Sequence, residues 1–188
     1  MDWSASVQPI KQLAKTLAQL TDEEHYLFSL ADLKAAMPEQ SKGGFKALVS
    51  RGVRDGLLKR ICRGLYLYPG VEYAGGLVLF HAAARLRAGE FNYISLETAL
   101  SDAGVISQIP INWITLMSSG RSHIVNCGDF GRIEFVHTKK RPENLTDYLI
   151  YDPDCRLWRA SVALAIKDML ATRRSTDLID WSAANELI

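Results

Sequence analysis

Several residue sets in this 188-residue chain have types and spacings that invite a chemical reading. Asp152-Pro153-Asp154 offers two carboxylates one residue apart, the arrangement that holds magnesium in nucleotidyl transfer. That use requires a strand behind the pair and a glycine–serine loop before it. Residues 148–151 could supply the strand and Ser118-Ser119-Gly120 the loop. An Asp-Pro-Asp run just ahead of a helical pattern also reads as a turn and helix N-cap, and this is the expectation adopted. Asp129, Glu134 and Lys139 include the acids and lysine of a metal-dependent nuclease. Such a centre places glutamate and lysine two apart on one strand. Here they are five apart, which on a regular strand sends them to opposite faces. Ser95 has no histidine in view to take its proton and is expected to cap a helix. Cys62, Cys127 and Cys155 are odd in number and widely separated, and His25, His81, His123 and His137 show no helical ligand spacing. The expectation is reduced structural cysteines, with no metal, no cofactor and no catalytic residue.

The charge pattern is more pointed. The net charge is only +1, but residues 34–63 hold eight basic side chains (Lys34, Lys42, Lys46, Arg51, Arg54, Lys59, Arg60, Arg63) against Glu39 and Asp55. Everything after Arg63 carries twelve basic and fourteen acidic residues. One segment is therefore suited to a polyanion, and the rest to another task. A hydrophobic content of 48% supports a sizeable buried core and excludes a disordered chain. No run approaches a membrane span, and Met1-Asp2-Trp3-Ser4 lacks the basic start and apolar run of a secretory signal, so a cytoplasmic protein without membrane partners is expected.

The elements that must position these charges can be read from periodicity. Ile10, Leu13, Leu17 and Leu20 mark one face of a first helix. Ser29-Leu30-Ala31-Asp32 forms a capping box opening a second, with Leu30, Leu33 and Met37 inward and Pro38 as its stop. A third helix begins near Ser41, its inward set being Phe45, Leu48, Val49 and Val53. Lys42, Lys46, Ser50, Arg51 and Arg54 occupy its other faces. Gly43, Gly44 and Gly52 weaken this helix but allow close approach of another backbone near its start. Residues 57–61 and 65–68 read as strands joined through Cys62-Arg63-Gly64. Two short helices, the second basic, followed by a basic hairpin give a winged helix-turn-helix over about 7–68. The helix fits a major groove, and Lys59, Arg60 and Arg63 of the wing can neutralise phosphates. The expected DNA-binding residues are thus Lys42, Lys46, Ser50, Arg51, Arg54, Lys59, Arg60 and Arg63.

Phe28-Ser29-Leu30-Ala31-Asp32-Leu33, Gly56-Leu57-Leu58-Lys59-Arg60 and the wing Arg63-Gly64-Leu65-Tyr66 resemble the N-terminal domain of the AbiEi antitoxins of bacterial abortive-infection (type IV) toxin–antitoxin systems. Pro69-Gly70 and Gly75-Gly76 are the boundary candidates, and domains of 1–70 and 71–188 are expected. In the second, helices are expected at 77–87 and 95–104 and strands at 93–94, 113–117, 123–127 and 132–137. A long helix is expected over 157–170, with Val162, Leu164, Ala165, Met169 and Leu170 apolar. Tyr93-Ile94-Ser95-Leu96-Glu97-Thr98-Ala99-Leu100 is similar to the antitoxin domain of the same family. The run 160–168 is a looser likeness, with Val162 and Ala163 where relatives often carry a proline and an acid.

The fold class expected is α+β, a winged helix-turn-helix domain followed by a mixed α/β antitoxin domain. The resemblance implies a DNA-binding antitoxin that represses its own operon and neutralises a nucleotidyltransferase-like toxin, without catalysis. Its partners would be double-stranded operator DNA and the cognate toxin. Two other readings are a winged-helix-targeted metal-dependent enzyme and a one-component ligand-sensing regulator. Lys139-Lys140-Arg141 reads equally as a solvated loop or as a second phosphate or toxin contact. Trp3, Trp113, Trp158 and Trp181 are expected to fill cores.

Overall fold

The computed structural model describes residues 8–107 and 112–188, and the chain divides between Gly75 and Gly76 into two units. The expected readings of Met1-Asp2-Trp3-Ser4, with a core role for Trp3, and of Val7 as a domain start lie outside the described residues.

In the first unit, α1 (Pro9–Leu20) starts on a proline, whose fixed φ suits a first turn, and buries Leu13 and Leu17. β1 (Leu27–Ser29) leads directly into α2 (Leu30–Ala36). The capping box is present: the Asp32 N–H donates to Ser29 Oγ at 3.1 Å, and the Ser29 N–H donates to the Asp32 carboxylate at 2.7 Å. Leu33 and Met37 are buried, whereas Leu30 occupies the first helical position and is 42% exposed, not inward as expected. α3 (Lys42–Arg54) is capped by Ser41, whose Oγ accepts from the Gly44 N–H, and it buries Phe45, Leu48 and Val49. The close backbone approach expected near its start is not found, since a Cβ on Gly43 or Gly44 would meet no backbone. Gly52 instead lies against the Leu58 side chain.

β2 (Lys59–Cys62) and β3 (Leu65–Leu67) form the hairpin, and the antiparallel sheet runs β1-β3-β2. The turn Arg63-Gly64 places Gly64 at φ +83°, which a glycine adopts without the Cβ penalty. Arg60 pairs with Tyr66 and Cys62 with Leu65, so Ile61 is an extra residue, a β-bulge. The bulge breaks the alternation: Lys59 and Arg60 are both exposed, and Ile61 and Cys62 both buried. The core joins Leu13, Leu17, Phe28, Leu33, Met37, Phe45, Leu48, Val49, Leu58 and Tyr66. Each fully buried leucine here contributes roughly 1.5–3 kcal/mol. This order, α1-β1-α2-α3-β2-β3 with a three-stranded sheet, is a winged helix-turn-helix. Residues 71–75 belong to the same unit, in which Tyr73 stacks on Tyr26 at 5.0 Å.

The second unit is a six-stranded mixed sheet in the order β6-β7-β5-β4-β9-β8, with β4 (Asn92–Ile94), β5 (Trp113–Ser118), β6 (His123–Asn126), β7 (Arg132–His137), β8 (Leu149–Asp152) and β9 (Leu157–Ala160). The pairs β5–β7 and β4–β9 are parallel and the others antiparallel. Its helices are α4 (Val78–Leu86), α5 (Leu96–Asp102), α6 (Val162–Ala171) and α7 (Trp181–Glu186). The long helix expected over 157–170 is two elements. Residues 157–160 pair with both β4 and β8, and α6 starts only after Ser161, whose Oγ accepts from the Leu164 N–H. Asp152-Pro153-Asp154 is therefore a hairpin turn and not a helix N-cap. Leu170 is 59% exposed, and Trp158 and Trp181 are exposed rather than core residues.

Candidate nucleic-acid interface

Residues that face the core along α3 recur as Phe45, Leu48, Val49 and Gly52, which leaves a broad outer face. Lys42, Lys46, Ser50, Arg51 and Arg54 are all exposed on it, with the exposed Gly43 and Ala47 between them. Small residues interspersed with long cations let a helix backbone come close to a groove while its charges reach outward. Arg51 Nε donates to Asp55 at 3.2 Å and Arg54 Nε to the same carboxylate at 3.0 Å. The Arg54 hydrogen bond, more than any other contact, holds the Asp55 carboxyl below its ordinary range. Such exposed pairs are weak, so the two arginines can exchange Asp55 for another anion.

The wing adds three cations. Lys59 and Arg60 are exposed on β2, and Arg60 Nε donates to the Cys62 carbonyl at 3.3 Å, which lays its side chain along the hairpin. Arg63 is exposed at the tip, beside Gly64. All eight residues expected to touch DNA are on the surface of α3 or the hairpin that follows it.

The basic segment also holds a cation that the charge count misread. Lys34 is half-buried and turned inward: its Nζ donates to the carbonyls of Met37 at 3.5 Å, Pro38 at 3.1 Å and Gln40, and lies 5.7 Å from the Phe45 ring centroid. Seven cations of this segment, not eight, are presented outward. A lysine in the last turn of a helix, four residues ahead of a proline, is the pattern from which this could have been read.

Several side chains considered for other chemistry in the second unit are engaged in structure, whereas Asp154 and Lys139 are exposed. Asp152 accepts from the Cys155 N–H at 3.0 Å and from Arg159 at 2.8 Å. Burial raises the Asp152 pKa, but these partners outweigh it and leave the group below its usual value. Burial, reinforced by Asp152, pushes the Cys155 thiol up to about 12, so it is an unreactive thiol. Cys62 and Cys127 are likewise buried. The Asp154 carbonyl accepts from His81 Nε2 at 2.6 Å. Glu134 is held by Arg174 and by Trp113 Nε1, the latter at 3.2 Å. Ser95 stands at the N-cap of α5 without making the expected cap bond: the Thr98 N–H donates to Thr115 Oγ1 at 3.1 Å instead, and the Ser95 hydroxyl donates to Asp168 at 2.7 Å. Asp168 is fully buried and also accepts from Tyr93 Oη at 3.0 Å and Lys140 Nζ at 2.6 Å. Burial above all, then the Asp168 charge, pushes the Tyr93 phenol upward, keeping it a donor. Lys140 is thus an anchor, while Lys139 and Arg141 on either side are exposed. Among the described residues, no group of three or more His, Cys, Asp or Glu is placed to hold a metal ion.

Compared with known proteins, residues 15–69 match the family described as transcriptional regulator, AbiEi antitoxin. The match begins within α1 and ends just after β3, so it contains α2, α3 and both strands of the wing. No curated protein matches the chain. Among the described residues, no helix is long and apolar enough to cross a membrane. Residues 15–69 of this chain are thus similar to the AbiEi antitoxin family of transcriptional regulators.

Proposed function

We propose that the chain is a DNA-binding antitoxin that represses its own toxin–antitoxin operon and neutralises the cognate nucleotidyltransferase-like toxin. The observation that carries this reading is the outward display of Lys42, Lys46, Arg51, Arg54, Lys59, Arg60 and Arg63 on a helix and wing within the matched segment. α3 enters the major groove of operator DNA. Its small outer residues Gly43 and Ala47 permit close approach, Ser50 and the cations reach base edges and phosphates, and the wing holds the flanking backbone. The protein works where that DNA is, in the bacterial cytoplasm.

The second unit carries the antitoxin activity. Asp152, Glu134 and Asp168 are bound up in ion pairs within the fold, which supports a role through surface contacts or regulation rather than through a reaction. The two roles divide near residues 70–76, a reading supported by the separation of the chain into two compact units between Gly75 and Gly76.

The test pairs two readouts in one bacterial host: a reporter driven by the promoter upstream of this gene, and growth during expression of the neighbouring nucleotidyltransferase-like gene. Wild type represses the reporter and restores growth. Lys46→Ala combined with Arg63→Ala loses repression and keeps protection. A chain that neither represses its promoter nor protects against the neighbouring gene product overturns the reading.

A further inference from the structure

We infer that Lys34 is a positioning residue that clamps the turn between α2 and α3 and so presents α3 to DNA, an inference that rests on the DNA-binding reading above. The last carbonyls of a helix have no partner within it. At the end of α2, the chain passes through Met37 and Pro38, and Pro38 can neither continue the helix nor donate an N–H. The carbonyl oxygens of Met37, Pro38 and Gln40 then converge on one point, where their partial negative charges would repel one another. The Lys34 ammonium sits there, and its three N–H groups have these three oxygens as acceptors. Below it lies the ring of Phe45, a buried residue of α3.

One side chain therefore joins α2, the turn and α3. The residue after Gln40 is Ser41, which caps α3 through Gly44, so the turn's conformation fixes where α3 begins. Lys42 and Lys46 lie within the first two turns from that cap. With its donors occupied by backbone oxygens, Lys34 has none left for a phosphate. It acts on DNA affinity through geometry and not through charge.

The two roles differ in three readouts. Lys34→Met keeps the stem against Phe45 and removes the donors. Lys34→Arg keeps the charge, but a planar guanidinium cannot place three N–H groups on three convergent oxygens. The probes are a duplex from the promoter upstream of this gene and an unrelated duplex of equal length. We expect both variants to bind the promoter duplex about tenfold more weakly, the size of one misplaced base contact. The dependence of affinity on salt should match wild type, and the unrelated duplex should be affected less. Without DNA, the Met37 and Gln40 amides, which donate to the Lys34 and Met37 carbonyls, should exchange with solvent faster in both folded variants.

Full recovery by Lys34→Arg, with a salt slope in Lys34→Met lower by about 0.9, would make Lys34 a phosphate contact and overturn the inference. So would wild-type promoter affinity or unchanged amide exchange in Lys34→Met. If wild type itself shows no preference for the promoter duplex, the DNA-binding reading fails, while amide exchange still decides whether Lys34 clamps the turn.

Discussion

Replacing Arg60 and Arg63 with alanine tests the wing's share of the interface quantitatively. Both side chains are exposed, and among the described residues the Arg60 side chain gives a hydrogen bond only to the Cys62 carbonyl, so the fold should survive the double change. If all seven outward cations neutralised one phosphate each, log affinity would fall with log salt at a slope of about −6, an upper bound. Removing two contacts makes the slope shallower by about 1.8. Between 50 and 200 mM salt, roughly 0.6 log units, wild type should then lose about twelvefold more affinity than the double variant. Fluorescence anisotropy with one promoter duplex over that salt range reads both slopes. Equal slopes in a folded double variant would remove the wing from the interface and leave α3 alone to hold the DNA.

Three further outcomes follow from particular contacts. Asp55→Asn should tighten binding to any duplex by about two- to fivefold at low salt, because it releases Arg51 and Arg54 and removes a repelling charge; unchanged affinity in anisotropy would show that Asp55 does not compete with DNA. Asp168→Ala should destabilise the second unit by about 3–5 kcal/mol, since it strands the buried hydroxyls of Tyr93 and Ser95 and the Lys140 ammonium; native-state hydrogen exchange of β4 and α6 amides checks this, and a loss below about 1 kcal/mol would refute the network's role. His81 is shifted below its ordinary 6.5, mainly by burial and further by the Arg156 charge, against the opposing effects of the Asp154 carbonyl and carboxylate. The unfolded chain therefore takes up its proton first on acidification, and stability that is full above about 6.5 should fall as pH drops below it; urea titrations at several pH values should show a shallower acid decline in His81→Gln, and an identical decline would refute the assignment.

Much of the first unit was legible because its signals are local. The Ser29–Asp32 box, the stop at Pro38, the cap at Ser41 and the hairpin around Gly64 each depend on chemistry within a few residues. β1 escaped notice because three residues, with Leu27 and Phe28 both buried, give no period to detect. Lys34 escaped because a charge count cannot tell an ammonium facing water from one facing three carbonyls. In the second unit, residues 157–160 continue the apolar pattern of α6 and so read as its first turn. Their pairing with β4, more than sixty residues away, decides otherwise. Ser95 shows the same limit: its position marks a cap, but Asp168, 73 residues on, takes its hydroxyl. Leu96, the next residue, is fully buried at φ +58°, a backbone state that no local pattern of leucine signals.

The central claim is that α3 reads the major groove of the operator from which this chain is expressed. Methylation protection on the promoter region upstream of the gene tests it directly, since the reagent reports guanine N7 in the major groove. The account predicts a discrete set of protected guanines at salt where an unrelated duplex is unprotected. Those protections should be lost with Lys46→Ala combined with Ser50→Ala, two exposed substitutions on the outer face of α3. Guanines left equally reactive with and without the protein, or protection that survives this double substitution, would contradict it.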